Sequence, residues 1–240
     1  MRASIGFGLL FAACLAAAPA RAGDPDALWK IVHDKCAVNT APCLFIDQTK
    51  GYALLKDIVG DTQYLLIPTA KVTGIESPEI LAPDAPNYFA AAWSFTDKVV
   101  AAAHHTVPRD YLSLAINSPS GRSQNQLHIH LDCLRPDVHA SLAAHLAEIG
   151  PAWAPLPVRL AGHSYAAMRV SGRDLGATNP FRLLAAATKD MKDQTLVIVG
   201  ADFPDGPGFI LLNDHVDATL GDRASGEELQ DHDCAVAKSG

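Results

Sequence analysis

Hydrophobic positions along the chain change period several times, and each change marks an element. Over residues 24–36 (DPDALWKIVHDKC), Leu28, Ile31 and Val32 recur at helical spacing behind an acidic start, which predicts a helix. Two short apolar runs, Tyr52–Lys56 (YALLK) and Gln63–Pro68 (QYLLIP), flank Gly60-Asp61 and predict a hairpin. Residues 76–86 hold three prolines and predict a loop. Residues 87–103 are Ala-rich, with Phe89, Trp93 and Val100, and predict a helix packed on a sheet. Tyr111–Asn117 (YLSLAIN) predicts a strand, Ser118–Gln126 a polar turn, and Leu127–Leu134 (LHIHLDCL) an antiparallel partner strand. Arg135-Pro136-Asp137 then opens a helix reaching Ile149.

Beyond Gly150-Pro151 a strand is expected over 163–170, a helix over 180–188, strands over 195–199 and 208–212, and a short helix over 225–232. This order predicts an α+β fold, an antiparallel sheet with packed helices. Residues 23–150 form the expected core, and residues 151–240 an α/β extension packed on it.

The first 22 residues stand apart. Arg2 precedes the apolar run Ile5–Ala18, and Ala20-Arg21-Ala22 has the form of a cleavage site. The segment reads as an export signal peptide, with an uncleaved N-terminal anchor as the rival. Export changes how cysteines are read. Cys36, Cys43, Cys133 and Cys234 remain after Cys14 is set aside, an even number in an oxidising compartment. Four cysteines allow three connectivities. Closing the short Cys36–Cys43 loop leaves Cys133 with Cys234. A zinc site is the alternative, though the spacing is not that of a CxxC pair.

Composition narrows the function classes. Hydrophobic residues are 49% of the 240 and charged residues 19%, which excludes a disordered chain. The net charge of −7 argues against a sequence-independent grip on nucleic acid. Any bound phosphate needs a local site.

The stretch Asn117–Asp137 (NSPSGRSQNQLHIHLDCLRPD) carries the candidate chemistry. Strand side chains alternate faces, so His128, His130 and Asp132 share one face and Ile129, Leu131 and Cys133 the other. Two imidazoles and a carboxylate in a row are expected to face a cleft. The preceding loop is rich in Gly, Ser, Gln and Asn, whose N–H groups hold phosphate oxygens without a positive field. A neutral imidazole beside such a loop is a competent nucleophile toward phosphorus.

This segment resembles the histidine triad superfamily, whose His-x-His-x-His strand follows an Asn and a Gln at the offsets held here by Asn117 and Gln124. The resemblance implies that His130 is the nucleophile of a nucleotidyl-histidine intermediate and His128 its support. It implies that Asn117 fixes the active strands or the nucleophile's tautomer. Ser123, Gln124 and Asn125 would line the phosphate loop; Asn125 stands where many relatives have Ser. Asp132 occupies the third-histidine position, as a replacement does in the transferase branch, which puts the leaving-group proton donor in question. Arg135 is placed either on a second phosphate or in a salt bridge with Asp137.

A narrower resemblance covers most of the chain. The runs SLAINSPSGRSQNQLHIHLDCLRPDV, YALLKD, QYLLIPT, GIESP and RASGEELQDHDC are similar to the bacterial CDP-diacylglycerol pyrophosphatase family. It implies hydrolysis of a lipid-nucleotide, CDP-diacylglycerol, to CMP and phosphatidate at the periplasmic face of the inner membrane, with no cofactor or metal. The family's usual N-terminal anchor strengthens the anchor reading. Competing readings are a periplasmic hydrolase of soluble nucleotides or nucleoside phosphoramidates, and a non-catalytic protein holding metal on His128, His130 and Asp132. An exposed apolar groove beside the site would favour the lipid. His104-His105 reads as a solvated helix end, and Trp93 and Trp153 as core. Arg122 and Lys71 read as solvated. His163, His215 and His232 lack motifs, but a Cys133–Cys234 bond would bring His232 toward the active strand.

Overall fold

The computed structural model describes residues 23–238. The signal or anchor expectation for residues 1–22 lies outside them. Among the described residues no helix is long and apolar enough to cross a membrane.

The chain starts with a helical run built from α1 (Ala27–Lys30), a wider π-type turn (Ile31–Cys36) and α2 (Ala37–Asn39). Strands β1 (Phe45–Asp47), β2 (Tyr52–Lys56) and β3 (Tyr64–Pro68) follow as a meander. The expected helix over 87–103 is two, α3 (Tyr88–Trp93) and α4 (Thr96–Ala103), separated at Ser94-Phe95. Then come β4 (Leu112–Ile116), β5 (Ile129–Leu134) and α5 (Pro136–Ala144). The last part holds β6 (Ala154–Leu160), β7 (His163–Ser171), α6 (Pro180–Ala187), β8 (Gln194–Phe203), β9 (Gly206–His215) and β10 (Gln230–Asp231).

All strands join one antiparallel sheet in the order β1-β2-β3-β5-β4-β8-β9-β7-β6. The molecule is α+β. Pairing of β4 with β8 carries the sheet across the boundary at residue 150, so both parts of the chain share its backbone ladder. Strand β5 is central. One edge pairs with β4, and the other is shared end to end by β3 and the two-residue β10.

The expected helix over 225–232 is instead a single tight turn, Gly226–Leu229, followed by β10. Close approach to the sheet explains it. A Cβ on Gly226 would lie 2.5 Å from Val197 Cγ2 and 2.7 Å from Thr195 Oγ1, so only glycine fits there. The Gly226 N–H donates to Thr195 Oγ1 at 2.9 Å, and that hydroxyl donates to the Ile116 carbonyl at 2.6 Å.

Each face of the sheet is covered differently. On one, α3, α4 and α6 bury Leu54, Leu66, Leu114, Ile129, Leu131, Ile198 and Phe209 in a continuous core. On the other, the N-terminal helical run packs Leu28 and Val32 against Ala53, Leu55, Leu65 and Ile67. Helix α5 packs Val138 and Leu142 against Leu134, Val197, Val199 and Ile210. These two covers leave an opening between them, over β3, β5 and β4.

Candidate active site

The opening is floored by β5. Its register places His130 between Leu65 of β3 and Ala115 of β4. Ile129, Leu131 and Cys133 face the continuous core, while His128, His130 and Asp132 lie on the opposite face, as period-two alternation requires, with His128 and His130 in the opening. Here lies a cleft of about 470 Å³ lined by His128, His130, Asn117, Ser123, Gln124 and Glu227 among others. One wall is apolar, formed by Ala27, Leu28, Ile31 and Leu55 together with Ile58 and Val59 at the β2–β3 turn. Ile58 is 98% exposed and Val59 48%. The rest of the lining is polar and includes Lys56, Asp57, Arg122, Arg223 and Glu227.

His130 is 5% exposed, and both of its ring nitrogens are buried without a hydrogen-bond partner. Burial pushes its pKa down to about 3, so the ring is neutral at physiological pH. The His128 ring meets it edge-on, with centroids 4.8 Å apart. Burial also lowers the His128 pKa, and its Nδ1 lies 2.6 Å from the Gln126 carbonyl. A neutral His128 donates that hydrogen bond and turns Nε2 away from it.

Glu227 comes from the C-terminal strap, residues 222–234, and sequence reasoning missed it. Its Oε1 stands 3.4 Å from His130 Nδ1. Gln63 Nε2 donates to Oε1 and Asn117 Nδ2 to Oε2, both at 3.1 Å. Burial opposes ionisation of Glu227, but the facing His130 ring, then these amides and the nearby His232 ring, hold the carboxyl below its ordinary pKa. Asn117 Oδ1 accepts from the Glu227 backbone N–H at 3.1 Å, so the two side chains lock reciprocally. Asn117 thus bonds the strap, not the imidazole.

Asp132 is fully buried and turned toward the strap. It accepts from Thr62 Oγ1 at 2.5 Å and the Cys133 N–H at 2.8 Å, and its Oδ2 lies 2.7 Å from His232 Nδ1. Burial raises the Asp132 pKa against these contacts, and the hydrogen bond to Asp132 raises that of His232. His232 Nε2 lies 3.5 Å from Glu227 Oε1. The third-histidine position is thus linked through a carboxylate to a histidine 100 residues away. His128, His130 and Asp132 do not converge as a metal-ligand set among the described residues.

The loop residues fare differently from expectation. Gln124 borders the cleft, but its amide ties down the N-terminal helix, accepting from the Leu28 N–H and donating to the Asp24 carbonyl. Asn125 is exposed and absent from the cleft lining; its backbone N–H donates to the Pro25 carbonyl at 2.6 Å. Ser123 lines the cleft. Among the described residues, the backbone N–H groups of Ser123 and Gln124 donate to no protein acceptor. Arg135 lies outside the lining and makes the expected salt bridge, its guanidinium on Asp137 at 2.8 and 3.0 Å and on the Glu228 carbonyl at 3.2 Å. Arg122 is held by Glu76 through two bonds of 2.7 and 2.6 Å, and Lys71 lies 3.5 Å from Asp26. Arg223 is the exposed cation of the lining and has no ion pair among the described residues.

Two disulfides join Cys36 to Cys43 and Cys133 to Cys234. Such bonds persist in oxidising compartments and fit an exported protein. The second fastens the strap beneath β5.

Residues 23–238 match the family described as CDP-diacylglycerol pyrophosphatase. The chain belongs to that family. It is also 43% identical to a curated CDP-diacylglycerol pyrophosphatase of Yersinia pestis, over 90% of this chain and 86% of the relative. The matched region contains the whole sheet, both disulfides and the strap, so β5 and Glu227 belong to the family fold and not to an appendage.

Proposed function

We propose that this pyrophosphatase-family chain hydrolyses CDP-diacylglycerol to CMP and phosphatidate, with His130 as nucleophile. The observation that carries the reading is a buried, neutral imidazole, without a hydrogen-bond partner, at the floor of a cleft with apolar and polar lining. Membership of the family supports the substrate. The apolar wall ending at Ile58 and Val59 supports a lipid over a soluble nucleotide.

Glu227 accepts a hydrogen bond from the His130 Nδ1–H and leaves the Nε2 lone pair for phosphorus. The 3.4 Å separation shortens as charge develops on the ring, because a carboxylate stabilises an imidazolium. His130 Nε2 attacks the cytidylyl phosphorus in line, the pyrophosphate P–O bond breaks, and phosphatidate departs. Phosphatidate is a good leaving group and needs little acid assistance. Water then cleaves the N–P bond of the cytidylyl-histidine, releasing CMP and restoring neutral His130. In this reading the N–H groups of Ser123 and Gln124, which have no protein acceptor among the described residues, and the guanidinium of Arg223 in the lining hold the equatorial oxygens. This two-step course is the one expected of a histidine triad-like site, with Glu227 and the Asp132–His232 pair where a third histidine would act. The periplasmic face of the inner membrane is the proposed location, supported by the disulfides and the leader-like first 22 residues.

The test is product analysis of the mature protein with CDP-diacylglycerol in detergent and chelator, using label in the cytidylyl phosphate. CMP and phosphatidate are expected, with an acid-labile, base-stable labelled protein in a rapid quench. Full turnover by His130→Asn would overturn the nucleophile, and hydrolysis of soluble nucleotides alone would overturn the lipid.

A further inference from the structure

Across the strap from the cleft, three side chains converge from separate stretches of chain. His163 begins β7, Asp214 lies near the end of β9, and Asp222 stands at the foot of the strap. One ligand atom from each lies within 4.8 Å of the others. Asp214 and Asp222 are 3% and 5% exposed. Asp214 Oδ1 accepts from the His215 N–H at 2.7 Å, but Oδ2 is buried without a partner. Asp222 Oδ1 accepts from the Ala224 N–H at 2.8 Å, and its Oδ2 lies 3.7 Å from His163 Nδ1. Glu228 Oε1 is 2.8 Å from the same nitrogen and accepts from the Tyr165 hydroxyl at 2.7 Å.

Beside the cluster opens a cavity of about 290 Å³. Arg159 borders it, but its guanidinium donates to the Gly162 carbonyl at 3.1 Å. Among the described residues neither Asp214 nor Asp222 has a Lys or Arg ion-pair partner. Buried carboxylates that close together repel, and burial without a counter-charge is costly. Asp214 borders the cavity, and its buried Oδ2 has no hydrogen-bond partner to offset that cost.

We propose that His163, Asp214 and Asp222 bind one divalent transition-metal ion. One imidazole nitrogen with carboxylate oxygens suits Zn²⁺ or Mn²⁺ and lacks the thiolates of a softer site. Binding places the His163 Nδ1 lone pair on the metal, so its contact with Glu228 gives way and any proton there passes to solvent. The ion joins β7 and β9 to the strap that carries Glu227. The site does not depend on the hydrolytic reading.

The test uses mature protein stripped by chelator and titrated with Zn²⁺, followed by calorimetry and thermal unfolding. One equivalent is expected in the wild type and in His130→Asn, the latter keeping the catalytic cleft out of the count. Asp214→Asn and His163→Gln should each weaken binding at least tenfold, about the scale of losing a metal contact. Metal-free Asp214→Asn should melt no lower than metal-free wild type, because the substitution relieves repulsion, whereas a purely structural carboxylate would leave it less stable. Absence of binding in the wild type, or undiminished binding in Asp214→Asn, would overturn the site. Loss of binding in His130→Asn would move the ion to the cleft and overturn it equally. Should Asp214→Asn fail to fold, the partly exposed His163 decides through His163→Gln. Neither result touches hydrolysis measured in chelator.

Discussion

Two segments face each other across the cleft, the polar loop 118–126 and the strap 222–234, and they divide the labour unexpectedly. The loop adjoins the histidines in sequence and is rich in amides, yet its side chains serve the scaffold. Gln124 fastens the N-terminal helix, Gln126 Nε2 donates to the Pro68 and Ala70 carbonyls, and Ser118 accepts from loop N–H groups. The strap lies about 100 residues downstream, yet Glu227 stands against His130, His232 pairs with Asp132, and Gln230 Nε2 donates to the His130 carbonyl at 3.2 Å. Nearness in sequence to a nucleophile thus says little about which groups set its electrostatics.

Substitutions can break this comparison. The largest effect belongs to neither segment: His130→Asn should lower kcat for CDP-diacylglycerol by roughly a thousandfold or more, measured by CMP release. The same variant has a pH signature. The His130 pKa is about 3 when folded and ordinary, near 6.5, when unfolded. Between those values the unfolded chain binds the extra proton, so stability falls as pH falls through 6.5 toward 3. The loss is at most about 5 kcal/mol. Urea titrations from pH 7 to pH 4 should show a shallower decline for His130→Asn than for wild type. An equal decline would mean that other buried groups, His128 among them, carry the acid sensitivity.

Next in size is Glu227→Gln, which keeps the shape and removes the charge. We expect roughly a hundredfold loss in kcat with little change in KM. A change in KM alone would reduce Glu227 to a wall of the cleft and return electrostatic control to the loop. Gln124→Ala is the matching change on the loop. It removes two hydrogen bonds to the N-terminal helix and should cost about 1–2 kcal/mol in chemical denaturation, with kcat within about twofold of wild type. A kcat loss as large as that of Glu227→Gln would erase the contrast. Smallest is Arg135→Ala, whose exposed pair with Asp137 should alter stability by less than about 1 kcal/mol and turnover hardly at all. A large rise in KM would place Arg135 on the substrate after all.

How much of this was legible in the sequence depended on range. The two faces of β5 follow from period-two alternation alone, because His128, His130 and Asp132 are local to one strand. The β2–β3 hairpin and α5 were legible for the same reason. Strand β6 was not, because Pro155 and Pro157 mask a strand that tolerates them only at the edge of the sheet. Strand β1 is three residues long, too short for a period. Glu227 and Gly226 were illegible because their positions depend on packing against Thr195 and Val197 and on a two-residue pairing with β5. One signal did point there. Pairing Cys133 with Cys234 implied that the chain around His232 returns to the active strand, and Glu227 is five residues before His232. The His163–Asp214–Asp222 cluster carried no such signal, since its members come from β7, β9 and the strap.

Strand β10 adds a consequence about time. It fills the part of the β5 edge that β3 leaves open, and it follows every other strand in chain order. A chain growing from its N-terminus can assemble the rest of the sheet, with His128 and His130 in place, before Glu227 exists. Pairing across about 100 residues is also slow to form, because a long loop must close before the contact rewards it. The histidines are therefore built first and the carboxylate delivered last, so the centre matures in a single late step.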